Sequence, residues 1–368
     1  MKRFYTSIVL CLCVLLAFPK YVGDLNNDGR LSIADVTVLV NILTGKTTNY
    51  DSRLADVDGN GTVAVADVNL LVDIILGKAQ PTLLDEADTL FINYSEAGVT
   101  YELPSAWADD VTVVVDGNDV VVTNTNTADE YVTALRGTCA SGSFTYNGSY
   151  KTTLVLQGLT LANPIGSAVN IQCGKRISLQ LAEGTENVLE DGQAGKGALF
   201  CKGHLEVSGG GSLSVQGNVG HAISTKEYME VKKSVGTITI TGAVKDGIHV
   251  EQYFKMNGGT IVMHDIAGDG IQAESKGKEY EMDGQLLIKG GTVDITLAGN
   301  DVAALQSDSL LTISGGEITV NSTGNDVKAL KSKTDILVSD GTINITQSGG
   351  YLVSEVTEAD GSTTYDPS

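Results

Sequence analysis

Proline, aromatic residues and basic residues are all scarce in this 368-residue chain. It contains 5 Pro, 1 Trp, 6 Phe and 13 Tyr, and 24 Lys and Arg against 45 Asp and Glu, for a formal net charge of −21. The scarcity of proline excludes collagen and proline-rich linkers, and the few aromatic rings argue against a module that stacks sugars on them. The acidity disfavours nucleic acid as a partner. The apolar share of 42% excludes wholesale disorder.

Long hydrophobic runs are also missing, except near the N-terminus. Met1-Lys2-Arg3 precedes an apolar run from Ile8 to Phe18 that is too short to span a bilayer. This pattern predicts a signal peptide over residues 1–20, with a first buried element as the alternative. We therefore expect a secreted protein, extracellular or at the cell surface, with no membrane span.

Cysteine is too rare for a disulfide framework. Only Cys139, Cys173 and Cys201 follow the predicted signal peptide, and an odd number of cysteines in so long a chain predicts buried free thiols.

Two acidic segments, 32 residues apart, follow the pattern of a calcium-binding loop. Asp or Asn occupies positions 1, 3 and 5, Gly occupies position 6, and an acid closes position 12. The expected ligands are Asp24, Asn26, Asp28, Arg30, Ser32 and Asp35 in the first loop and Asp56, Asp58, Asn60, Thr62 and Asp67 in the second. Calcium binds hard oxygen ligands, which explains the alternation of Asp and Asn. The alternative, chance spacing in an acidic loop, is disfavoured because the whole unit repeats.

Each loop leads into a predicted amphipathic helix. Apolar residues recur at positions i, i+3, i+4 and i+7 in both helices, as Val36, Leu39, Val40 and Leu43 and as Val68, Leu71, Val72 and Ile75. Gly45 and Gly77 end the helices with a C-cap signal. Two such faces can bury each other, which predicts a small all-α module over residues 21–80 that needs calcium to fold.

This duplicated unit closely resembles a dockerin. The resemblance implies a cohesin-type protein as partner and two bound Ca²⁺ ions. In dockerins, loop positions 10 and 11 help to select the partner, and here they are Ile33-Ala34 and Val65-Ala66.

The rest of the chain repeats a strand–glycine–strand unit. The aligned turn glycines are Gly211, Gly236, Gly259, Gly291, Gly316 and Gly341, mostly about 25 residues apart. This period, with short Val/Ile-rich strands, predicts a parallel β-solenoid. We expect a β-rich lead-in over residues 81–153, the coils over residues 154–353 and an acidic tail over residues 354–368.

Aligned polar columns mark the coils as candidates for binding. One turn column contains His221, Asp246, Asp269, Asp301 and Asp326, and an outward column contains Lys202, Lys226, Glu251, Glu274, Gln306 and Lys331. Stacked acids about 4.8 Å apart repel one another unless they are neutralised. Two interpretations stay open. The Asp side chains stack in the turns as structural elements, or they bind Ca²⁺ with Asp246, Glu251, Asp269 and Glu274 as ligands.

The segment from Leu154 onward resembles a family of secreted right-handed parallel β-helix proteins of cellulolytic bacteria. The resemblance covers about residues 88–350 and rests on the phrase G-T-x-N-x-L from Gly184 to Leu189 and on the repeated D-G-I. It implies a pectate-lyase-like fold, calcium on the β-helix and affinity for plant cell-wall polysaccharides, including acidic pectin-type chains.

The residues favour binding over catalysis. A pectate lyase needs a base, for which Lys226 is the candidate, and a hydrolase would need paired carboxylates such as Asp246 and Asp269. No nucleophile motif or phosphate loop is present. We expect a non-catalytic polysaccharide-binding protein whose ligand-binding residues are Lys202, Lys226, His249, Glu251, Glu274 and Gln306. The alternatives are a calcium-dependent polysaccharide lyase and a surface adhesin.

Overall fold

The computed structural model describes residues 21–26, 30–48, 50, 52–60, 62–82, 88–277, 281–351, 353–357 and 363–367. The chain divides into two compact units, Met1–Glu86 and Ala87–Ser368. The predicted signal peptide over residues 1–20 and the loop residue Asp28 lie outside the described residues. No helix in the described ranges is long and apolar enough to cross a membrane.

The first unit contains two 11-residue helices, α1 (Ile33–Leu43) and α3 (Val65–Ile75), with a short α2 (Ser52–Ala55) between them. Both long helices end as their sequences predict. Gly45 and Gly77 both adopt φ +72. Their N–H groups donate to Ile42 O at 3.0 Å and Ile74 O at 2.9 Å, which satisfies carbonyls left free by the last turn of each helix.

The core of the first unit differs from the predicted faces in both helices, because Ile42 and Ile74 are buried and Leu43 lies outside the core. Val36, Leu39 and Ile42 of α1 pack with Leu71 and Ile74 of α3. Val40, which we expected on the buried face, is 41% exposed. That prediction was wrong because α1 packs through Val36, Leu39 and Ile42, which are three residues apart and turn Ile42 toward the core.

The second unit is a coil of short strands. Its strands are β1 (Thr89–Ser95), β2 (Gly98–Glu102), β3 (Val111–Asp116), β4 (Asp119–Asn124), β5 (Val132–Cys139), β6 (Ser143–Gly148), β7 (Thr152–Ala162), β8 (Val169–Ile171), β9 (Arg176–Leu181), β10 (Glu186–Glu190), β11 (Gly197–Cys201), β12 (His204–Ser208), β13 (Ser212–Gly217), β14 (His221–Thr225), β15 (Met229–Val231), β16 (Thr237–Ala243), β17 (Ile248–Val250), β18 (Phe254–Met256), β19 (Thr260–Ile266), β20 (Ile271–Ala273), β21 (Leu286–Ile288), β22 (Thr292–Leu297), β23 (Ala303–Ser307), β24 (Leu311–Ser322), β25 (Lys328–Ser332), β26 (Ile336–Gln347), β27 (Val353–Thr357) and β28 (Thr363–Pro367). A 3₁₀ turn spans Ser105–Trp107.

Each full coil contributes one strand to each of three parallel sheets. Sheet 1 contains β9, β12, β15, β18 and β21, sheet 2 contains β10, β13, β16, β19 and β22, and sheet 3 contains β8, β11, β14, β17, β20, β23 and β25. The long strands β7 and β24 run through both sheet 1 and sheet 2. The prediction of a mostly β, parallel solenoid preceded by a small α-helical module is confirmed.

Parallel pairing begins before the predicted first coil. Within residues 81–153, β5 pairs with β1 and β7, and β6 pairs with β4 and β8, all in parallel. Antiparallel strands β2 and β3 lie at the ends of these sheets. In the predicted acidic tail, β27 and β28 form an antiparallel pair.

The interior of the coil is filled by stacked apolar side chains. In sheet 2, Leu213, Ile238, Ile261, Val293 and Ile318 lie in register on successive strands and are fully buried. Stacking equivalent side chains at the strand spacing buries a continuous core. Cys139, Cys173 and Cys201 are buried and unpaired, as the sequence predicted.

Glycines are required where successive coils approach each other closely. Gly209 adopts φ +92, and a Cβ atom there would lie 2.1 Å from Leu181 O in the preceding coil. The close approach and the left-handed backbone both explain why glycine occupies this position.

Candidate functional site

A row of polar side chains points outward from the C-terminal half of sheet 3. The strand register aligns Ser224, His249, Gln272, Gln306 and Lys331 on consecutive strands, and we call these five residues the outer row. Their neighbours on each strand, such as Val250 and Ala273, are fully buried. The alternation of a strand therefore turns the row away from the core, and Ser224 is its one buried member.

The register corrects our alignment of the last coils. Ile271 pairs with Leu305 and Ala273 pairs with Ser307, so Gln306 lies beside Gln272 and not in the column of Glu274. Lys331 shifts with it, because it pairs with Gln306. Two additional residues before β23 cause the shift. In the turn column, the register accordingly places Ala303, and not Asp301, beside Asp269.

A second row follows immediately after the sheet 3 strands. The backbone N–H groups of Lys226, Glu251, Glu274, Asp308 and Lys333 each donate to the preceding coil at the equivalent position. Together with Lys202 we call these residues the ion-pair row. Sequence reasoning identified its first four members and missed Asp308 and Lys333, because the two-residue shift concealed them.

The charges of the ion-pair row neutralise one another. Lys226 Nζ pairs with Glu251 Oε1, Lys276 Nζ lies 2.8 Å from Glu274 Oε2 and 3.6 Å from Glu251 Oε2, and Lys333 Nζ lies 2.9 Å from Asp308 Oδ1. Lys276 comes from the insertion after β20. Because Lys226 is held in an ion pair with Glu251, it is a poor candidate for a general base.

Asp246 contacts two stacked imidazole rings. Its Oδ2 atom is 3.1 Å from Nδ1 of His221 and 3.0 Å from Nδ1 of His249, and the two rings stack with centroids 4.3 Å apart. Burial opposes ionisation of Asp246, but the hydrogen bonds from His221 and His249 outweigh it and hold its pKa well below the usual range. Burial likewise opposes the charged form of His249, but the Asp246 carboxylate outweighs it and raises the pKa of His249.

Backbone hydrogen bonds connect the predicted Asp ligands to the next coil. The N–H of Asp269 donates to Asp246 Oδ1 at 3.0 Å, and the N–H of Ala303 donates to Asp269 Oδ1 at 2.6 Å. These bonds favour the stacked-turn interpretation. Burial raises the pKa of Asp269, and the nearby Asp246 charge adds to the effect.

Two groups of side chains on the coil could hold a cation. The candidate ligand atoms of His221, Asp246 and His249 lie within 4.8 Å of one another, and so do those of His249, Glu251 and Glu274. The four acids that we predicted as calcium ligands are thus divided. Asp246 meets two histidines, Glu251 and Glu274 meet each other and His249, and Asp269 belongs to neither group.

A charged network on sheet 1 was not singled out from the sequence. Glu230 Oε1 lies 3.0 Å from Lys255 Nζ, and Lys232 Nζ lies 3.1 Å from Glu206 Oε2. The rings of Tyr228 and Tyr253 stack beside it with centroids 4.6 Å apart. Aligning the sheet 1 strands would have placed Glu206, Glu230 and Lys255 in one outward column.

In the first unit, the closing acids organise the two loops. Asp35 is fully buried, and it accepts hydrogen bonds from the backbone N–H groups of Leu25, Asn26 and Ser32 at 2.9–3.1 Å. Asp67 accepts equivalent bonds from Asp58 and Ala64. Both acids therefore draw the start of their loop onto the following helix.

The second loop has the donor set that calcium requires. Carboxylate oxygens of Asp56, Asp58 and Asp67 lie within 4.8 Å of one another, and the Asn60 side chain contacts Asp58. Several hard oxygens converging in one loop fit Ca²⁺. In the first loop Asp24 is buried, the backbone N–H of Asn26 donates to Asp35 Oδ1, and the Ser32 side chain caps α1. Arg30 and Thr62 occupy position 7, where the backbone carbonyl is the expected ligand.

Comparisons with known proteins match both units. A family described as "Carbohydrate-binding domain-containing protein" matches residues 116–366, and the dockerin type I domain matches residues 22–76. A carbohydrate-binding domain-containing protein of Acetivibrio thermocellus is 27% identical over 101 residues, which are 25% of this chain and 35% of that protein. The chain thus spans about a third of the length of this curated relative.

A solved structure shares the fold. The polysaccharide lyase-like protein from C. thermocellum, determined as a gadolinium derivative, superposes with a TM-score of 0.56 at 19% identity. The match covers 70% of this chain and 99% of that one. At this identity the likeness is evidence for the β-solenoid fold alone.

Proposed function

The chain belongs to the family of carbohydrate-binding domain-containing proteins and carries a dockerin type I domain, and from this premise we propose that it is a secreted, non-catalytic binder of plant cell-wall polysaccharide. Its dockerin attaches it to a cohesin-type partner, and its solenoid holds cellulose or an acidic pectin-type glycan with the help of calcium. The extracellular location follows from this role and from the predicted signal peptide.

The outer row is the observation that carries the proposal. Amide, imidazole and ammonium groups of His249, Gln272, Gln306 and Lys331 repeat at the strand spacing of about 4.8 Å. A linear polymer can lie along such a row and make equivalent hydrogen bonds to successive coils. Lys202, Lys226, Glu251 and Glu274 flank the row and supply further polar contacts.

Calcium contributes at two places in this proposal. In the dockerin loops it stabilises the fold through Asp24, Asn26, Asp35, Asp56, Asp58 and Asp67, together with Asp28. On the solenoid it would bridge Glu251 and Glu274, whose carboxylates lie together beside His249, to uronate groups of the polymer. An acidic surface requires such a cation before it binds an acidic chain.

The partner side of the proposal rests on two exposed apolar residues. Ile33 and Val65 are 72% and 66% exposed and begin α1 and α3 at equivalent positions of the internal repeat. Exposed apolar residues placed equivalently on two related helices suit a protein partner.

The polysaccharide is tested by affinity electrophoresis of the full chain through gels that contain cellulose derivatives, xylan or polygalacturonate. We expect Lys331→Ala and Gln272→Ala to lose most of the retardation seen for the wild type. Lys289→Ala removes an exposed lysine that follows β21 in sheet 1, and it should migrate as the wild type does. Equal retardation of all three variants would contradict binding along the outer row.

Catalysis is tested with pectate and calcium. A lyase would generate unsaturated uronates that absorb in the ultraviolet, and their steady accumulation would overturn the non-catalytic proposal. We expect none, because the ammonium group of Lys226 is paired with Glu251, and a general base must be able to accept a proton.

A further inference from the structure

His221, Asp246 and His249 form a compact group with two nitrogen ligands and one oxygen ligand. Their side chains are 16%, 12% and 12% exposed. Within the described part of the chain, no lysine or arginine pairs with them. The group therefore differs from Glu251 and Glu274, whose carboxylates are already paired with lysines.

The ring nitrogens of this group lie close to oxygen atoms. Nδ1 of His221 accepts from the backbone N–H of Asp246 at 3.2 Å, and the same nitrogen lies 3.1 Å from Asp246 Oδ2, which is itself an acceptor. Nδ1 of His249 lies 3.0 Å from Asp246 Oδ2 and 2.8 Å from Gln272 Oε1. One nitrogen of each ring thus lies within 3.1 Å of the same carboxylate oxygen, so that a cation could replace the protons shared among the three groups.

A carboxylate also supports the outer nitrogen of His249. Nε2 lies 3.3 Å from Glu274 Oε2, and Lys276 pairs with Glu274 in turn. Metal-bound histidines commonly donate their second N–H to a carboxylate, which fixes the tautomer and orients the ring. The chain Asp246, His249, Glu274 has this arrangement.

We propose that His221, Asp246 and His249 together bind one first-row divalent transition-metal ion of the zinc class. Imidazole nitrogens suit zinc and related ions, whereas calcium takes six to eight oxygens. The ligand separations of 3.0 and 3.1 Å approach the edge of about 3.3 Å in a tetrahedral site with bonds of about 2.0–2.1 Å.

The geometry specifies how the site closes. The two rings are stacked at an interplanar angle of 22°, so an ion shared by both requires them to turn about their Cβ–Cγ bonds. Three protein ligands leave the fourth position of a tetrahedral ion open. Because His249 also belongs to the outer row, the site adjoins the surface along which we place the glycan. The metal site itself does not depend on glycan binding.

Zinc titration of the full chain tests the proposal. Isothermal titration is carried out with Zn²⁺ in millimolar calcium, which occupies the dockerin loops. We expect a site that binds one Zn²⁺ per chain, about 100-fold weaker binding in His221→Gln and His249→Gln, and about 10- to 100-fold weaker binding in Glu274→Gln. His264→Gln removes an exposed histidine of β19 and should leave the affinity unchanged.

X-ray absorption at the zinc edge of the wild-type protein gives an answer that needs no variant. Two imidazole ligands in the first shell support the proposal, even if a histidine variant fails to fold. A first shell of oxygen alone, or undiminished affinity in folded His221→Gln and His249→Gln, would overturn it. Displacement of the zinc by calcium would do so too.

Discussion

Asn187 connects three neighbouring coils, and its removal is the sharpest test of how the solenoid is held together. The residue is 1% exposed and lies in β10. Its Oδ1 accepts from the N–H groups of Gly158 and Leu159 at 3.0 and 2.9 Å, and its Nδ2 donates to Thr185 Oγ1 at 3.2 Å and to Ser212 O at 2.9 Å. The side-chain amide therefore accepts two hydrogen bonds and donates two within the fold.

The magnitude follows from the groups that Asn187→Ala leaves without a partner. Two backbone N–H groups of β7 and one carbonyl of β13 lose their bond, and each such loss costs about 1 kcal/mol or more. We expect a loss of about 3–5 kcal/mol in the free energy of unfolding. A fall in Tm of at least about 6 °C would accompany it.

Thermal and urea unfolding, followed by circular dichroism, measure this loss. Asn187→Asp keeps the shape but turns the two donated bonds into acceptor–acceptor contacts, so it should also be destabilised. Asn344→Ala alters an exposed asparagine of β26 and should change stability by less than about 0.5 kcal/mol. If Asn187→Ala unfolded with the wild type, the account of this asparagine as a clamp between coils would be refuted.

Three further predictions concern other parts of the chain. Asp58→Ala should weaken calcium binding in the second dockerin loop at least about 10-fold by isothermal titration, whereas Asp73→Ala, on α3 and paired with Lys78, should bind calcium as the wild type does. Burial raises the pKa of Asp191 to about 6, so the ionisation of Asp191 costs stability as the pH rises from about 4 to 6. Asp191→Asn should therefore raise the free energy of unfolding by about 1–3 kcal/mol at pH 7 and leave it unchanged at pH 3.5. Equal unfolding midpoints of the variant and the wild type at pH 7 would contradict this. Gly209→Ala should cost about 2–4 kcal/mol because its Cβ would meet Leu181 O, whereas Gly184→Ala, with φ +68 and open space around it, should cost about 1 kcal/mol, and equal losses would exclude the close approach as the cause.

The solenoid was predictable because the same sequence unit returns at a regular spacing along the chain. Turn glycines at a period of about 25 residues and alternating Val/Ile strands specify stacked parallel coils. The structure explains the asparagine in the phrase from Gly184 to Leu189, because Asn187 in β10 forms hydrogen bonds to β7 and β13. A hydrogen bond across coils leaves no periodic signal.

The site was predictable only in part because it depends on register. Alignment by eye placed His221 and Asp246 in one column correctly, since the coils between β14 and β20 are regular. It failed at β23, where two added residues shift Gln306, and with it Lys331, into the outer row. Asp301 before β23 and Asp326 before β25 adopt φ of 52 and 60. The contact of His249 with His221 carries no calcium-ligand pattern, because calcium prefers oxygen ligands, and it was not predicted.

The central claim is that the solenoid binds a plant cell-wall polysaccharide, and one measurement tests it most directly. Affinity electrophoresis compares the wild type with a chain that carries Asp35→Ala and Asp67→Ala, in polysaccharide gels with calcium and with EDTA, so that loss of the dockerin calcium sites is separated from any effect on the solenoid. The account predicts that both proteins are retarded in the same calcium-containing gel, and that EDTA releases both from an acidic glycan. Unretarded migration of both proteins in every gel would contradict it.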